Sequence, residues 1–138
     1  MIGLLIVTHG PLAQELVAAT QKIVGETPRM EAIALGWDED QSHARKRIEE
    51  AIERNQQGQG ILILTDLFGG TASNLSFALS QPGKVDVVTG VNLPMLLKFT
   101  NLRGMDRLDE VAQKLRDEGR KAIYTASEVL KTGNKGAA

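Results

Sequence analysis

The feature that most narrows the fold of this chain is an alternation of two kinds of segment. Ile2–Val7, Met30–Leu35, Ile61–Thr65 and Val85–Thr89 are short apolar or β-branched runs, and the last three each follow a Gly or Pro turn signal. They have the character of strands buried on both faces, as in a parallel sheet. Between them lie segments of helical spacing: Pro11–Val24 with Leu12, Leu16, Ile23 and Val24 on one side, about 41–55 with Ala44, Ile48, Ala51 and Ile52, and a third opening near Thr71. A fourth covers "LPMLLKFTNL", a fifth runs over Arg107–Glu118, and "KAIYTA" is expected to form a last strand. Strand-helix alternation predicts parallel strands joined by right-handed crossovers, hence an α/β, doubly wound domain with helices on both faces. In the smaller form of that architecture the strand order begins 2-1-3, and ligands bind where the order switches, outside the carboxyl ends.

Length and composition limit the function classes. A chain of 138 residues suits one domain, and 42% hydrophobic with 24% charged residues is the balance of a globular protein. The net charge of -1, with no basic cluster, lacks the footprint of a nucleic-acid or anionic-membrane binder. Cysteine is absent, which removes disulfides, thiolate metal sites and cysteine nucleophiles together. The longest apolar runs fall well short of the roughly 20 residues a membrane helix needs, and the first residues lack the basic region of a signal peptide, so none is expected. A cytoplasmic protein without membrane insertion is expected. Only the tail "KTGNKGAA" is unstructured by composition.

The chemistry concentrates at the switch point. His9, one of two histidines, follows the first apolar run, and Asp66 lies just beyond the third within "TDLFGGTASN". In a 2-1-3 sheet the two approach each other across one crevice. A carboxylate that accepts one ring N–H fixes the imidazole tautomer and leaves the other nitrogen with a free lone pair. Gly69-Gly70 then permits close approach to the backbone and leads into a helix whose first amides favour an anion. The parts suggest phosphoryl transfer to or from His9, with no metal or cofactor required. Each part also has a plainer reading: Asp66 as a helix cap before Thr71, the glycines as a turn, and His43 as an exposed residue of a charged helix. Phe68 is either an ordinary apolar residue or an exposed docking ring, and Trp37 is a weaker case of the same choice.

Three motifs taken in order, "THG", "DLFGGTASN" and "GVNLPML", make the chain resemble the IIA components of the mannose/fructose/sorbose class of the bacterial sugar phosphotransferase system over about residues 1–126. The resemblance implies that His9 accepts a phosphoryl group from the phosphocarrier protein HPr, on the ring nitrogen farther from the backbone, and passes it to a IIB component. Asp66 would hold the other ring nitrogen. Thr8, Gly10, Gly69, Gly70, Thr71 and Asn74 would shape the phosphoryl pocket, with Phe68 beside it. Phe68, Asn92, Pro94 and Met95 would lie at the partner-binding rim. It also implies a sheet of order 2-1-3-4 with a last antiparallel edge strand, completed in a homodimer by "KAIYTA". Residues 127–138 are then a largely irregular tail, and the IIB component is expected to be a separate protein. The segment "GWDEDQSHA" matches no family pattern closely.

Rival readings fit less well. A receiver domain also wants an Asp after its third strand, but needs an acidic pair where this chain has Thr8-His9. Histidine phosphatases place an Arg before their His-Gly, whereas Thr8 has no guanidinium to grip phosphate. Neither G-x-G-x-x-G nor G-K-[ST] follows any strand. A regulatory module read by other proteins through its phosphorylation, with no sugar transport of its own, is the remaining alternative.

Overall fold

The computed structural model describes residues 1–102, 104 and 106–131. Among them the order is β1 Gly3–His9, α1 Leu12–Val24, β2 Met30–Leu35, α2 Gln41–Asn55, β3 Ile61–Thr65, α3 Thr71–Ala78, β4 Val85–Thr89, α4 Leu93–Thr100, α5 Leu108–Lys121 and α6 Ala126–Lys131. The four strands form one parallel sheet in the order β2-β1-β3-β4.

The apolar runs explain the sheet's interior. Leu4 to Val7 and Ile61 to Leu64 are all fully buried, because β1 and β3 lie at the centre with helices on both sides. Successive side chains point to opposite faces, so each strand feeds two cores. Leu4, Ile6, Leu62 and Leu64 pack with Ala13 of α1, Met95 and Leu96 of α4, and Val111 and Leu115 of α5. Leu5, Val7, Ile61 and Ile63 pack with Ala44, Ile48 and Ala51 of α2 and Ala72 of α3. Each such Leu or Ile contributes about 1.5–3 kcal/mol by leaving water.

Local signals set the helix ends. Asp40 caps α2 by accepting the His43 N–H at 3.2 Å, and Asn92 caps α4 by accepting the Met95 N–H at 3.2 Å, with Pro94 inside the first turn. The α1 helix opens one residue later than the sequence suggests, with Pro11 at the N-cap position, and stops at Gly25 as expected.

One expectation is corrected. "KAIYTA" does not form an antiparallel edge strand: Lys121 closes α5, residues 123–125 have no regular structure, and Ala126 opens α6. The α5 helix outlasts its expected end at Glu118 because Arg120 and Lys121 suit the negative end of the helix dipole, and the Ala122 N–H still reaches the Glu118 carbonyl at 3.1 Å. A strand also needs a neighbour to satisfy its amides. In the single chain, Ile123 and Tyr124 find none and are 73% and 55% exposed. The tail expected to be irregular begins within α6, and residues 132–138 lie outside the described residues.

Candidate functional site

Sheet register builds the site. Val7 pairs with Thr65, so the chain ends beyond β1 and β3 emerge side by side, and Asp66 is brought to His9. Asp66 Oδ2 accepts the His9 backbone N–H at 2.9 Å and meets the ring Nδ1 at 2.8 Å. Oδ1 accepts the Leu67 N–H at 3.0 Å. An ionised carboxylate has only acceptor oxygens, so Nδ1 carries the proton, and in the neutral imidazole Nε2 then keeps its lone pair. Burial works against charge on Asp66, but the hydrogen bonds from His9 and Leu67 and the attraction of the ring outweigh it and hold the carboxyl below its usual range. The Asp66 side chain is 10% exposed and that of His9 is 22% exposed, so the ring remains reachable from solvent while its partner is shielded.

Two glycines make room for this ring. Gly10 has φ +59, a left-handed conformation that turns the chain from β1 toward α1, and a Cβ there would lie 3.2 Å from the Trp37 ring. At Gly70 a Cβ would sit 2.7 Å from His9 Cε1 and 3.4 Å from Nε2. The free nitrogen therefore lies beside the start of α3, whose N-cap is Gly70 and whose first amides have no side-chain cap. That helix end and its dipole favour an anion attached at Nε2. Thr71 is half-buried in the first turn, and Asn74 is exposed with its N–H on the Gly70 carbonyl at 2.9 Å.

The other expected site residues divide by burial. Thr8 is fully buried and its Oγ1 accepts the Ala13 N–H at 2.7 Å, so it anchors the start of α1 behind the ring. Phe68 is 73% exposed on the loop and meets Phe77 with ring centroids 5.8 Å apart. Pro94 is half-buried at the head of α4. Asn92 uses its side chain within the fold, capping α4 and donating from Nδ2 to the Gly119 carbonyl at 3.0 Å. Met95 is 2% exposed, packed where a Cβ on Gly119 would meet its sulfur at 2.8 Å. It also lines a cavity with Asn92 and Ile123. Among the described residues, no group of three or more His, Cys, Asp or Glu side chains could hold a metal ion.

Two further residues shape the site: Ser73, which the sequence reading does not single out, and Trp37, expected only as an apolar residue or a docking ring. Ser73 accepts the Gly69 N–H at 2.8 Å and donates to the Gly70 carbonyl at 3.1 Å, pinning the glycine loop. A Ser three residues beyond a helix-capping position is a recognisable signal for such a role. Trp37 stacks on His9, with centroids 5.6 Å apart and planes inclined by 20°. Its signal is tertiary: His9 pairs with Leu35, so the loop leaving β2 reaches the ring that ends β1.

Comparison with known proteins agrees with this arrangement. The family model described as PTS system fructose IIA component matches residues 3–116. The chain is 27% identical to the fructose-specific EIIA component of Bacillus subtilis (strain 168), across 98% of this chain and 95% of that one. It is 33% identical to the sorbose-specific EIIA component of Lacticaseibacillus casei, across 83% and 86%. Its fold superposes on the crystal structure of phosphotransferase system component EIIA from Streptococcus agalactiae with a TM-score of 0.83, at 27% identity, covering 93% of this chain and 99% of that one. A 2-1-3-4 parallel sheet, a His-Asp pair at its switch point and a match along most of the chain converge on one conclusion: the chain belongs to the IIA components of the mannose/fructose/sorbose class of the sugar phosphotransferase system.

Proposed function

We propose that His9 is the phosphoryl carrier of this IIA component, charged by phospho-HPr and discharged to a IIB component during sugar uptake. The observation that carries this reading is the 2.8 Å contact between His9 Nδ1 and Asp66 Oδ2, which leaves Nε2 free beside the start of α3. In the forward step the Nε2 lone pair forms a bond to phosphorus as the donor's bond to phosphorus breaks, its electron pair returning to the donor. Nδ1 keeps its proton, so positive charge appears on the ring while Asp66 faces it. The amides opening α3 offset the charge on the phosphoryl oxygens, and transfer to the IIB component is the reverse of the same step. Nothing in this sequence of events needs a metal.

The likenesses to sugar-specific components support uptake over a purely regulatory role. No helix among the described residues is long and apolar enough to cross a membrane, which accords with a cytoplasmic carrier that meets its partners by diffusion. Around the ring, Leu12, Leu67 and Phe68 are exposed apolar side chains suited to brief protein contacts. We also assign the protein a homodimer built on the outer edge of β4, which among the described residues pairs with β3 alone apart from one bridge between Gln81 and Val85. An unpaired edge accepts a further strand readily.

The test supplies phosphoenolpyruvate, enzyme I and HPr and maps phosphate by mass spectrometry. Wild-type protein should carry it on the peptide containing His9, and His9→Gln should carry none. Phosphate retained by that variant at wild-type level would reject the assignment.

A further inference from the structure

We propose that Trp37 is a positioning residue for His9: its indole face steadies the imidazole for attack and stabilises the positive charge that the ring acquires with phosphorus bound. This deepens the carrier reading and rests on it. The indole lies 5.6 Å from the imidazole, centroid to centroid, and within 20° of parallel. Both values fall within the range of a favourable offset stack and of a cation over a ring face. Attack from Nε2 runs in the plane of the imidazole, so a ring covering one face does not obstruct it.

Ordinary packing does not account for this tryptophan. It is 76% exposed, so its stack comes with little burial. Yet the loop that bears it is braced. Glu39 Oε1 accepts the Gly36 N–H at 2.9 Å and an Arg47 N–H at 2.8 Å, and Glu39 Oε2 meets His43 Nδ1 at 2.8 Å. Arg47 also donates to the Ala34 carbonyl at 3.1 Å, tying the loop to the end of β2. Gly10 leaves room for the indole, since a side chain there would press on it. A large aromatic held by this bracing against the reacting ring, with most of its surface left in solvent, is placed for the ring.

Transfer changes the charge of the imidazole. Before the step it is neutral with its proton on Nδ1; afterwards Nε2 bears phosphorus, the proton stays, and the ring is cationic. An indole face at this distance favours the second state by an amount worth about two- to fivefold in rate at an exposed site.

The experiment compares wild type, Trp37→Ala and Trp37→Phe with two donors: phospho-HPr, and phosphoramidate, a small molecule with no docking surface whose P–N bond breaks to release ammonia. Phosphate on the His9 peptide is followed over time. Trp37→Ala should slow labelling by about two- to fivefold with both donors, without raising the half-saturating concentration of phospho-HPr, and Trp37→Phe should recover most of the rate. The emission of Trp37, the only tryptophan in the chain, should change as His9 is labelled. If Trp37→Ala is slowed with phospho-HPr alone, with a higher half-saturating concentration, Trp37 is a docking ring and the proposal fails. Equal rates for all three proteins with phosphoramidate overturn it too. Should phospho-HPr label no variant while phosphoramidate labels His9, the carrier reading falls, and the phosphoramidate rates still decide the role of Trp37.

Discussion

Asp66 binds His9 through both its backbone and its ring, so one carboxylate fixes the end of β1 and orients the imidazole together. Its depressed pKa links the site to stability. The carboxylate's contribution is complete above its ordinary value near 3.9 and is lost as pH falls through the lower folded value. In urea unfolding, the stability gap between wild type and Asp66→Asn should therefore be full at pH 5 and narrow toward pH 2; a gap that widens on acidification contradicts this. The same variant should fold yet transfer phosphate more slowly, since the ring loses its anionic partner. Gly70→Ala tests the other side of the ring. Its methyl would fall 2.7 Å from His9 Cε1, and the displaced imidazole should be labelled on the order of tenfold to a hundredfold more slowly, with the circular dichroism spectrum retained. The pair itself was legible in the sequence, because a lone His and an Asp each follow an apolar run. Trp37 was legible only as an apolar residue or a docking ring, because its stack on His9 depends on sheet register, and Ser73 carries a local signal that its residue type alone does not announce.

At the scale of elements, polar side chains at the strand-helix junctions set where several helices begin. Thr8 shows how close this architecture runs to the chemistry: it immediately precedes His9, yet its hydroxyl serves the Ala13 N–H at the start of α1. Replacing it with the near-isosteric Val leaves that buried donor without its partner, and Thr8→Val should lose about 1–3 kcal/mol in denaturant unfolding. An unchanged midpoint would mean that water or a shifted helix start replaces the hydroxyl. The strands and helices were readable because apolar runs and helical periodicity are local. The exception is "KAIYTA". Ile, Tyr and Thr favour a strand, but this preference is expressed only against a neighbouring strand, and the single chain gives the segment none.

Across the whole molecule, among the described residues, both edges of the sheet are open, at β2 and at β4. Beside the β4 edge, which has no parallel neighbour on its outer side among the described residues, Ile123 lines a cavity of about 420 Å³ that also takes in Val87, Thr89, Met95 and Arg116. Pairing of two copies would cover that edge. Sedimentation should give twice the 14.9 kDa chain mass, and Ile123→Asp, which places a charge in the cavity wall, should shift the protein toward monomer while leaving phosphoramidate labelling of His9 intact. A wild-type monomer at all concentrations tested would refute the dimer.

By itself the amino-acid order determined the alternation of strand and helix, the all-round burial of β1 and β3, and the residue types available for phosphoryl chemistry. These depend on neighbours along the chain, where hydrophobic period and turn residues act over a few positions. Tertiary structure alone decided that Asp66 also binds the backbone N–H of His9, that Trp37 lies across the imidazole, that Met95 is nearly all buried, and that the segment after α5 forms no strand. Each of those outcomes depends on sheet register or on packing between segments distant in sequence, and such contacts form only when the whole core closes.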